Sequence, residues 1–263
     1  MVEKVAKLLR EKKAVAFTGA GASLESGIPT FRGKGGLWEK YDPQIYATVP
    51  GILFTFLKSP DKISQFFVDF YEVLLKAKPN STHYALAELE RRGRLLGVIT
   101  QNIDNLHQLA GSKIVSELHG NAYKFRCRVC NREKIKDKRE VAEFLEEIKK
   151  SHTRKDLIRR VLSFMGRCEC GRRLIPSVVF FGQPLPEEEL VKAYQLIDEA
   201  ELLLIIGTSG VVYPAVNLPF QAKERGCQIL EINPELTPLS SIADIRISQS
   251  ASIFFSQLLG YLG

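Results

Sequence analysis

The sequence AVAFTGAGASLESGIPTFRG (residues 14–33) joins a short apolar run to a glycine-rich loop. Its first five residues contain no charge and predict a buried β-strand. Gly19 and Gly21 follow directly and let the backbone approach a phosphate group, while Ser23 can cap a following helix. This is only part of a dinucleotide-binding fingerprint, because Leu24 stands where a third glycine is expected. A purely structural turn is therefore an alternative.

Similar apolar runs recur along the chain and alternate with amphipathic helical patterns. Continuous apolar strands separated by helices indicate a parallel sheet that is covered on both faces. The chain is therefore predicted to have an α/β fold, with a Rossmann-like parallel sheet and helices on both faces. The predicted strands are 14–18, 95–100, 113–118, 202–206, 228–232 and 245–248, and the predicted helices among them are 82–92, 187–199, 214–225 and 251–262.

Two inserts interrupt this alternation and predict a smaller lobe. Residues 37–79 are rich in aromatic side chains and have a helical pattern, so they are predicted to form the helical part of that lobe. Residues 123–177 hold four cysteines and a Lys/Glu-rich helical region, and they are predicted to form a metal-binding module. The Rossmann-like domain would then comprise residues 1–36, 80–122 and 178–263.

The positive charge of the chain is concentrated in one segment. The net charge is +7, and residues 124–173 contain 17 Lys and Arg against 8 Asp and Glu. A solvated surface of mixed helices explains this pattern, and a docking surface for an acidic partner such as nucleic acid is the alternative. No apolar run approaches the roughly 20 residues of a membrane span, and the charged first residues do not resemble a signal peptide. A cytoplasmic protein without a membrane partner is expected.

The cysteines predict a zinc site. An odd total of five and the close spacing of four of them argue against a disulfide framework. Four thiolates in tetrahedral geometry suit Zn²⁺ best, and such a closed site is structural. The second pair is Cys-x-Cys, which is tighter than the usual Cys-x-x-Cys, so its contribution of both ligands is an open question. The predicted ligands of one zinc ion per chain are Cys127, Cys130, Cys168 and Cys170.

Small or polar residues follow five of the predicted strands. Gly19 follows the first strand in the chain, Gln101 the second, His119 the third, Gly207 the fourth and Asn233 the fifth. Because the carboxyl ends of parallel strands meet at one edge, this edge is the predicted ligand site. A lone histidine is more often structural, so a structural role is the alternative for His119.

Seven motifs together resemble one enzyme family. GAGASLESGIPTFRG, TQNIDNLH, ELHG, the cysteine pairs, PSVVFFG, GTS and VVYP occur in the order found in sirtuins, from residue 18 to about residue 235. The chain thus resembles the NAD-dependent protein-lysine deacylases. The resemblance implies a Rossmann-like large domain and a small zinc-binding lobe, with NAD and acyl-lysine meeting in the cleft between them. Its products would be nicotinamide, O-acyl-ADP-ribose and deacylated lysine.

The resemblance also assigns roles to individual residues. His119 would be the general base on a ribose hydroxyl, and Asn102 would hold the ribose or an ordered water. Asp104 would accept a hydrogen bond from nicotinamide or from neighbouring donors in the pocket. Phe31 would shield C1′, and Arg32 would contact the diphosphate or order its loop. The implied catalytic residues are His119 and Asn102, and the implied NAD-binding residues are Gly19, Ala20, Gly21, Ser23, Thr30, Phe31, Arg32, Gln101, Asn102, Ile103, Asp104, Gly207, Thr208, Ser209, Asn233, Pro234, Glu235 and Ala251.

The same resemblance implies that the substrate peptide binds as an added β-strand. Residues 178–182 would be the edge strand that pairs with it, although a plain core strand is an alternative. Sirtuins that remove succinyl groups use a Tyr-x-x-Arg pair, whereas Tyr71 is followed three residues later by Leu74. Short neutral acyl groups such as acetyl are therefore expected, and longer fatty acyl chains accommodated by the aromatic-rich lobe are the alternative. The implied peptide-binding residues are Val178, Val179, Phe180, Phe181, Gly182, Val211, Val212 and Tyr213.

Two other functions are compatible with these motifs. A protein mono-ADP-ribosyltransferase would use the same NAD pocket with another nucleophile. A non-catalytic, NAD-sensing scaffold would bind nucleic acid through the basic segment, although intact His119, Asn102 and Asp104 disfavour it. Nicotinamide release that depends on an acylated peptide would separate deacylation from both.

Overall fold

The structure is a computed structural model that describes residues 1–30, 35–151 and 153–261. Within these residues the strands are β1 (Ala14–Thr18), β2 (Leu95–Thr100), β3 (Val115–Glu117), β4 (Gly120–Cys127), β5 (Glu133–Ile135), β6 (Leu174–Val178), β7 (Leu202–Ile206), β8 (Gln228–Ile232) and β9 (Ile245–Ile247). The α-helices are α1 (Val2–Glu11), α2 (Leu37–Lys40), α3 (Pro43–Tyr46), α4 (Val49–Lys58), α5 (Pro60–Lys76), α6 (Ser81–Arg91), α7 (Leu106–Ala110), α8 (Lys138–Lys149), α9 (Arg154–Met165), α10 (Glu187–Glu199), α11 (Asn217–Glu224) and α12 (Ala251–Leu259). Two 3₁₀ helices cover Ala20–Ser26 and Pro238–Ser241.

The chain divides into two compact units. The first unit comprises Met1–Pro29, Lys78–His119 and Leu185–Gly263. The second unit comprises Thr30–Ala77 and Gly120–Pro184. Among the described residues, none of the helices combines the length and the apolar character needed to cross a bilayer.

The first unit is built on a six-stranded sheet in the order β3-β2-β1-β7-β8-β9. Every neighbouring pair is parallel, which confirms the predicted Rossmann-like fold. The strand order reverses between β1 and β7, and both strands are buried along their whole length. This pair is therefore the topological switch point, beside which open α/β sheets bind their ligands.

Helices cover the sheet of the first unit. Side chains of α1, α6 and α12 pack against alternate residues of β1, β7 and β8 in one apolar cluster. Helices α10 and α11 contact β2, β3, β7 and β8. Strand β3 is shorter than the predicted 113–118, because the N–H groups of Lys113 and Ile114 donate to the carboxylate of Glu90. These two N–H groups therefore do not donate to a neighbouring strand.

The second unit contains a three-stranded antiparallel sheet in the order β5-β4-β6, together with helices from both inserts. Helix α8 buries an apolar face of Val141, Phe144, Leu145 and Ile148. Helix α9 buries less of its apolar face, since Leu157 is its one buried residue and Leu162 is exposed. Instead, α9 turns the ring of Phe164 onto Phe144, with the two centroids 3.8 Å apart.

Candidate active site and cysteine cluster

Backbone hydrogen bonds extend the sheet beyond the carboxyl ends of its central strands. The Gly19 N–H donates to Ile206 O at 3.0 Å, and the Gly21 N–H donates to Gly207 O at 2.8 Å. A Cβ atom added at Gly19 would lie 2.7 Å from the Cα of Thr208, and one added at Gly21 would lie 2.8 Å from the Cα of Gly207. Both glycines are therefore required by the close approach of two loops at the switch point.

Polar side chains connect the loops that follow four of the strands. Gln101 Nε2 donates to Thr208 Oγ1 at 2.8 Å, and Asn233 Nδ2 donates to the Thr208 carbonyl at 2.9 Å. Asn102 Nδ2 donates to the Gly19 carbonyl at 3.0 Å. The structure thus brings together the predicted site residues of the β1, β2, β7 and β8 loops.

Ser23 links three buried polar side chains of this edge. Its hydroxyl donates to Asp104 Oδ2 at 2.7 Å, and its oxygen accepts from Asn102 Nδ2 at 3.1 Å. His83 Nε2 also lies 3.4 Å from the Ser23 oxygen. Both hydrogens of the Asn102 amide are consequently used, while its Oδ1 makes no hydrogen bond to any described residue. The carbonyl oxygen of Asn102 is the atom left to accept from a ligand or a water.

The buried carboxylate of Asp104 has two partners within the protein. Oδ1 accepts from the Leu106 N–H at 2.9 Å, and Oδ2 accepts from Ser23. Burial raises the pKa of Asp104, while these two hydrogen bonds lower it and offset part of that effect. The side chain is 5% exposed. Its hydrogen bonds explain how a buried acid is tolerated four residues after the end of β2.

A single hydrogen bond determines the tautomer of His119. Its Nδ1 lies 3.0 Å from the carbonyl oxygen of Gln101. A carbonyl oxygen can only accept, so Nδ1 carries the proton and Nε2 has a free lone pair. Burial lowers the pKa of His119, and the bond to Gln101 raises it by less. His119 is therefore a neutral imidazole at neutral pH, with Nε2 available as a base.

Two buried histidines were not anticipated from the sequence. His83 and His107 are almost fully buried, and their ring centroids are 4.8 Å apart. Burial lowers the pKa of His83 to about 4 and that of His107 well below its ordinary value. His83 Nδ1 accepts from the Asn80 N–H at 3.2 Å as part of the cap of α6. Only this cap has a sequence signal, namely an asparagine three residues before the histidine.

The remaining predicted NAD-binding residues lie in different surroundings. Ala20 and Ile103 are half-buried, whereas Ser209, Pro234 and Glu235 are exposed. Ala251 begins α12 and is 2% exposed in the apolar core. Thr30 belongs to the second unit, where its carbonyl accepts from the Leu37 N–H at 2.9 Å. The predicted residues Phe31 and Arg32 lie outside the residues that the structure describes.

The edge strand predicted at 178–182 is wrong for most of its length, whereas the binding of a peptide by these residues stays a prediction. Strand β6 ends at Val178, where it is an edge strand of the small sheet. The Phe180 N–H donates to Gln183 Oε1 at 2.9 Å, and the Phe181 N–H donates to the Ala47 carbonyl at 2.8 Å. These bonds form a turn through 179–182 and also exclude a core strand there. They give Gln183, which had no interpretation from the sequence, a role in closing this turn.

The other predicted peptide-binding residues lie in the first unit, in the loop after β7. Val211 is 45% exposed and Tyr213 is 74% exposed, while Val212 is half-buried. Large apolar side chains at this exposure are available to a partner.

All four predicted zinc ligands converge. The Sγ atoms of Cys127, Cys130, Cys168 and Cys170 lie within 4.8 Å of one another, and three of the pairs are 3.4 to 3.8 Å apart. A tetrahedral Zn²⁺ with Zn–S bonds of about 2.3 Å would separate its sulfurs by about 3.8 Å. The N–H groups of Cys130 and Val129 lower the pKa of Cys127 to about 6, which favours the thiolate. The Cys170 N–H also lowers the pKa of Cys168, but the contact with Cys130 and burial outweigh it and raise that pKa to about 11, so Cys127 is more ready than Cys168 to bind a metal. The cluster therefore fits one structural zinc ion, with both cysteines of the Cys-x-Cys pair as ligands.

Comparisons with known proteins agree on one family. The model of the Sir2 family matches residues 19–214. An NAD-dependent protein deacylase of Pyrococcus abyssi is 44% identical over 245 residues, which is 93% of this chain and 91% of the relative. A Sir2 homologue variant solved with ADP-ribose has a TM-score of 0.80 at 39% identity, covering 100% of this chain and 96% of that one. A Sir2 variant solved with a deacetylated p53 peptide and 3′-O-acetyl-ADP-ribose has a TM-score of 0.78 at 33% identity, covering 99% of this chain and 98% of that one.

Proposed function

This chain belongs to the Sir2 family and is an NAD-dependent protein deacylase, and we propose that His119 is its general base. The observation that carries this proposal is the bond from His119 Nδ1 to the Gln101 carbonyl. It leaves Nε2 unprotonated, and an imidazole of ordinary or lowered pKa is mostly neutral near pH 7. The same bond holds the ring beside the loop that contains Asn102.

The residues at the carboxyl edge of the six-stranded sheet fit NAD. Gly19 and Gly21 allow the loops at the switch point to pack closely, and Asn102 Oδ1 makes no hydrogen bond to any described residue. When bound, NAD supplies the ADP-ribose that accepts the acyl group. We assign to Asn102 the orientation of a ribose hydroxyl or an ordered water through Oδ1. We assign to His119 the removal of a proton from a ribose hydroxyl through Nε2.

The surroundings of Tyr71 support a preference for neutral acyl groups. The Tyr71 hydroxyl donates to the Ala122 carbonyl at 2.9 Å, and the side chain is 6% exposed. Leu74, at the position of the arginine in succinyl-removing relatives, is 3% exposed. This pair offers no charged partner to an acyl carboxylate, whose burial would then be unfavourable. Acetyl and similar acyl groups are the proposed substrates.

The experiment that tests the activity follows the fate of NAD. The protein is incubated with NAD and an acetylated peptide, and products are identified by mass spectrometry. Deacylation predicts nicotinamide and O-acetyl-ADP-ribose in equal amounts, and only when the peptide is acylated. Transfer of ADP-ribose to protein would instead indicate the mono-ADP-ribosyltransferase alternative. Formation of O-acetyl-ADP-ribose by wild-type protein but not by His119→Ala would support the assignment of the base.

A nucleic-acid partner is a second proposal, and the distribution of ion pairs supports one location for it. Cations of α8 pair with nearby acids, for example Arg139 with Glu143 at 2.8 Å. By contrast, Arg154 and Lys155 at the start of α9 form no ion pair with any described residue. Beside them an open groove of about 790 Å³ is lined by Lys155, Arg159, Arg167 and Arg173, among others. This end of the second unit is where a polyanion would bind. A cytoplasmic location stays a prediction.

The test of nucleic-acid binding is a salt series with duplex DNA. Affinity should fall with a log–log slope of about −0.9 for each phosphate neutralised. Arg154→Glu with Lys155→Glu should weaken binding and reduce the slope, whereas the control Arg139→Glu should have a smaller effect because that arginine is already paired. No binding at low salt would show that the charge only solvates the surface.

A further inference from the structure

Two buried threonines connect His107 to the backbone of Asn102. His107 Nε2 lies 3.0 Å from Thr18 Oγ1, and the Thr18 hydroxyl donates to Thr100 Oγ1 at 2.8 Å. The same Thr100 oxygen accepts from the Asn102 N–H at 3.0 Å. All four residues belong to the first unit and are at most 6% exposed. A continuous chain of hydrogen bonds therefore runs from α7, over the ends of β1 and β2, to the loop that carries Asn102.

The direction of the hydrogen bonds between His107 and Thr100 determines the tautomer of His107. Thr18 has one hydroxyl hydrogen and gives it to Thr100, so in its contact with His107 the ring nitrogen must donate. His107 therefore carries its proton on Nε2. Its Nδ1 is buried and has no hydrogen-bond partner among the described residues. Donation to Thr18 is thus the one polar interaction of this ring within the described part of the chain.

We propose that His107 is a positioning residue of the deacylase, which orients Asn102 through Thr18 and Thr100. By donating to Thr18, His107 prevents that hydroxyl from rotating away and keeps its hydrogen on Thr100. Thr100 then holds the Asn102 N–H in place. This inference rests on the role proposed above for Asn102.

The expected effect follows from how Asn102 is held. Its side chain is fixed by two bonds from Nδ2, to the Gly19 carbonyl and to Ser23 Oγ, and its backbone is fixed by Thr100. Loss of the backbone bond lets the loop shift, and Oδ1 moves with it. A misplacement of about 1 Å near a reacting centre can cost about 10²-fold in rate. Because the chain of bonds acts at a distance, we expect a loss of at least about tenfold in kcat.

The test compares two substitutions that fill the same space. His107→Gln keeps an N–H donor close to the position of Nε2, whereas His107→Leu has no donor. We expect His107→Leu to lower kcat by about tenfold or more, with the KM for NAD within about twofold of wild type, and His107→Gln to restore most of the rate. Both variants should melt at similar temperatures, because both remove the imidazole. Equal kcat values for the two folded variants would overturn the proposal.

A second pair of variants keeps the test decisive if His107→Leu does not fold. Thr18→Val has the shape of threonine but no hydroxyl, and Thr18→Ser keeps the hydroxyl. The valine variant should lose kcat and the serine variant should retain it. Combining His107→Gln with Thr18→Val should also give no rescue, since the donor then has no acceptor. Rescue in that background, or equal rates for valine and serine, would contradict the proposed chain.

Asn102→Ala separates the failure of this inference from the failure of the proposed function. If Asn102→Ala abolishes turnover while His107→Leu and His107→Gln are equally active, only the positioning role is wrong. If Asn102→Ala has normal turnover, the role assigned to Asn102 is wrong, and the inference about His107 falls with it.

Discussion

The tautomer of His119 is decided by one neighbouring atom, the carbonyl oxygen of Gln101. The same loop residue donates its side-chain N–H to Thr208, so the backbone and the side chain of Gln101 organise two parts of the edge. The proposed base therefore depends on a residue that need not react itself. Substitution of His119 should affect chemistry more than NAD binding.

His119→Ala should reduce turnover by about 10²–10⁴-fold, the usual contribution of a general base. NAD should still raise the melting temperature of the variant, because His119 takes no part in the hydrogen bonds that hold the described loops around Gly19 and Thr208. Turnover is measured by mass spectrometry and NAD binding by thermal shift. Near-normal deacylation by the variant would refute the assignment of the base.

The pH dependence of the reaction should reflect the buried position of His119. Burial lowers the pKa of this histidine below its ordinary value of 6.5, and the neutral form is the active one. Activity should therefore persist below pH 6.5 and fall only as the pH drops through the pKa of the folded enzyme. The measurement is kcat/KM for NAD between pH 5 and pH 8. An acid limb with its midpoint above pH 6.5 would contradict the lowered pKa.

At the scale of elements, the antiparallel sheet and α9 surround the cysteine cluster with a small core. Phe125, Cys127, Cys168 and Leu174 are buried together, with Phe164 of α9 packed against them. So few buried side chains supply little stability on their own, which makes metal binding a major contribution to the folding of this region.

Removal of zinc should lower stability and activity together. Chelation or Cys127→Ser removes ligand bonds that hold the ends of β4 and β6, so we expect a lower melting temperature and loss of deacylation. Cys227→Ala is the matched control, because Cys227 is a buried thiol of the other unit. It should keep one zinc ion per chain by elemental analysis. A metal-free protein with unchanged stability and activity would show that the cluster is dispensable.

Helix α5 should determine the acyl preference, because its Tyr71 and Leu74 include no arginine that could bind an acyl carboxylate. We expect a higher kcat/KM for acetylated than for succinylated peptide, because Tyr71 is bonded to Ala122 and Leu74 is apolar. Tyr71→Phe should reduce stability by about 1 kcal/mol through loss of that hydrogen bond and leave the preference unchanged. The two peptides are compared in parallel with both proteins. A succinyl preference of the wild type would disprove this expectation.

At the scale of the whole molecule, buried neutral histidines make stability depend on pH. His83, His107 and His119 all have pKa values below 6.5 in the folded protein, that of His83 being about 4. The unfolded chain therefore binds more protons than the folded one below pH 6.5. The contribution of the three neutral histidines to the free energy of unfolding is complete above pH 6.5 and is lost as the pH falls toward 4. Burial raises the pKa of Asp104, which has the opposite effect on the pH dependence of stability. Asp104 is one group against three histidines.

The free energy of unfolding should consequently decrease between pH 7 and pH 5. Each histidine that stays neutral in the folded state contributes up to about 1.4 kcal/mol per pH unit below 6.5. Urea unfolding at several pH values measures the slope. His83→Asn keeps an acceptor for the Asn80 N–H but cannot titrate. It should therefore reduce the slope of the free energy of unfolding against pH by the contribution of one histidine. A stability that is constant across this range would contradict neutral burial.

Several features of this protein followed from the sequence alone. Periodicity and apolar runs predicted all six strands of the parallel sheet, because the central strands are buried on both faces and consist mostly of apolar residues. Thiol chemistry and spacing predicted the cysteine cluster, because four thiols in two close pairs suit one tetrahedral metal. The family motifs then identified the deacylase.

Other features depended on contacts between residues that are distant in the chain. The turn at 179–182 arises because Ala47 and Gln183 take backbone N–H groups that a strand would need. The exposed Leu162 follows from the stacking of Phe164 on Phe144. The His83–His107 pair and the chain from His107 to Asn102 join residues up to 89 positions apart. Local pattern and propensity carry no information about such partners. Only the folded chain decides which donor meets which acceptor, and therefore which nitrogen of a histidine is a base.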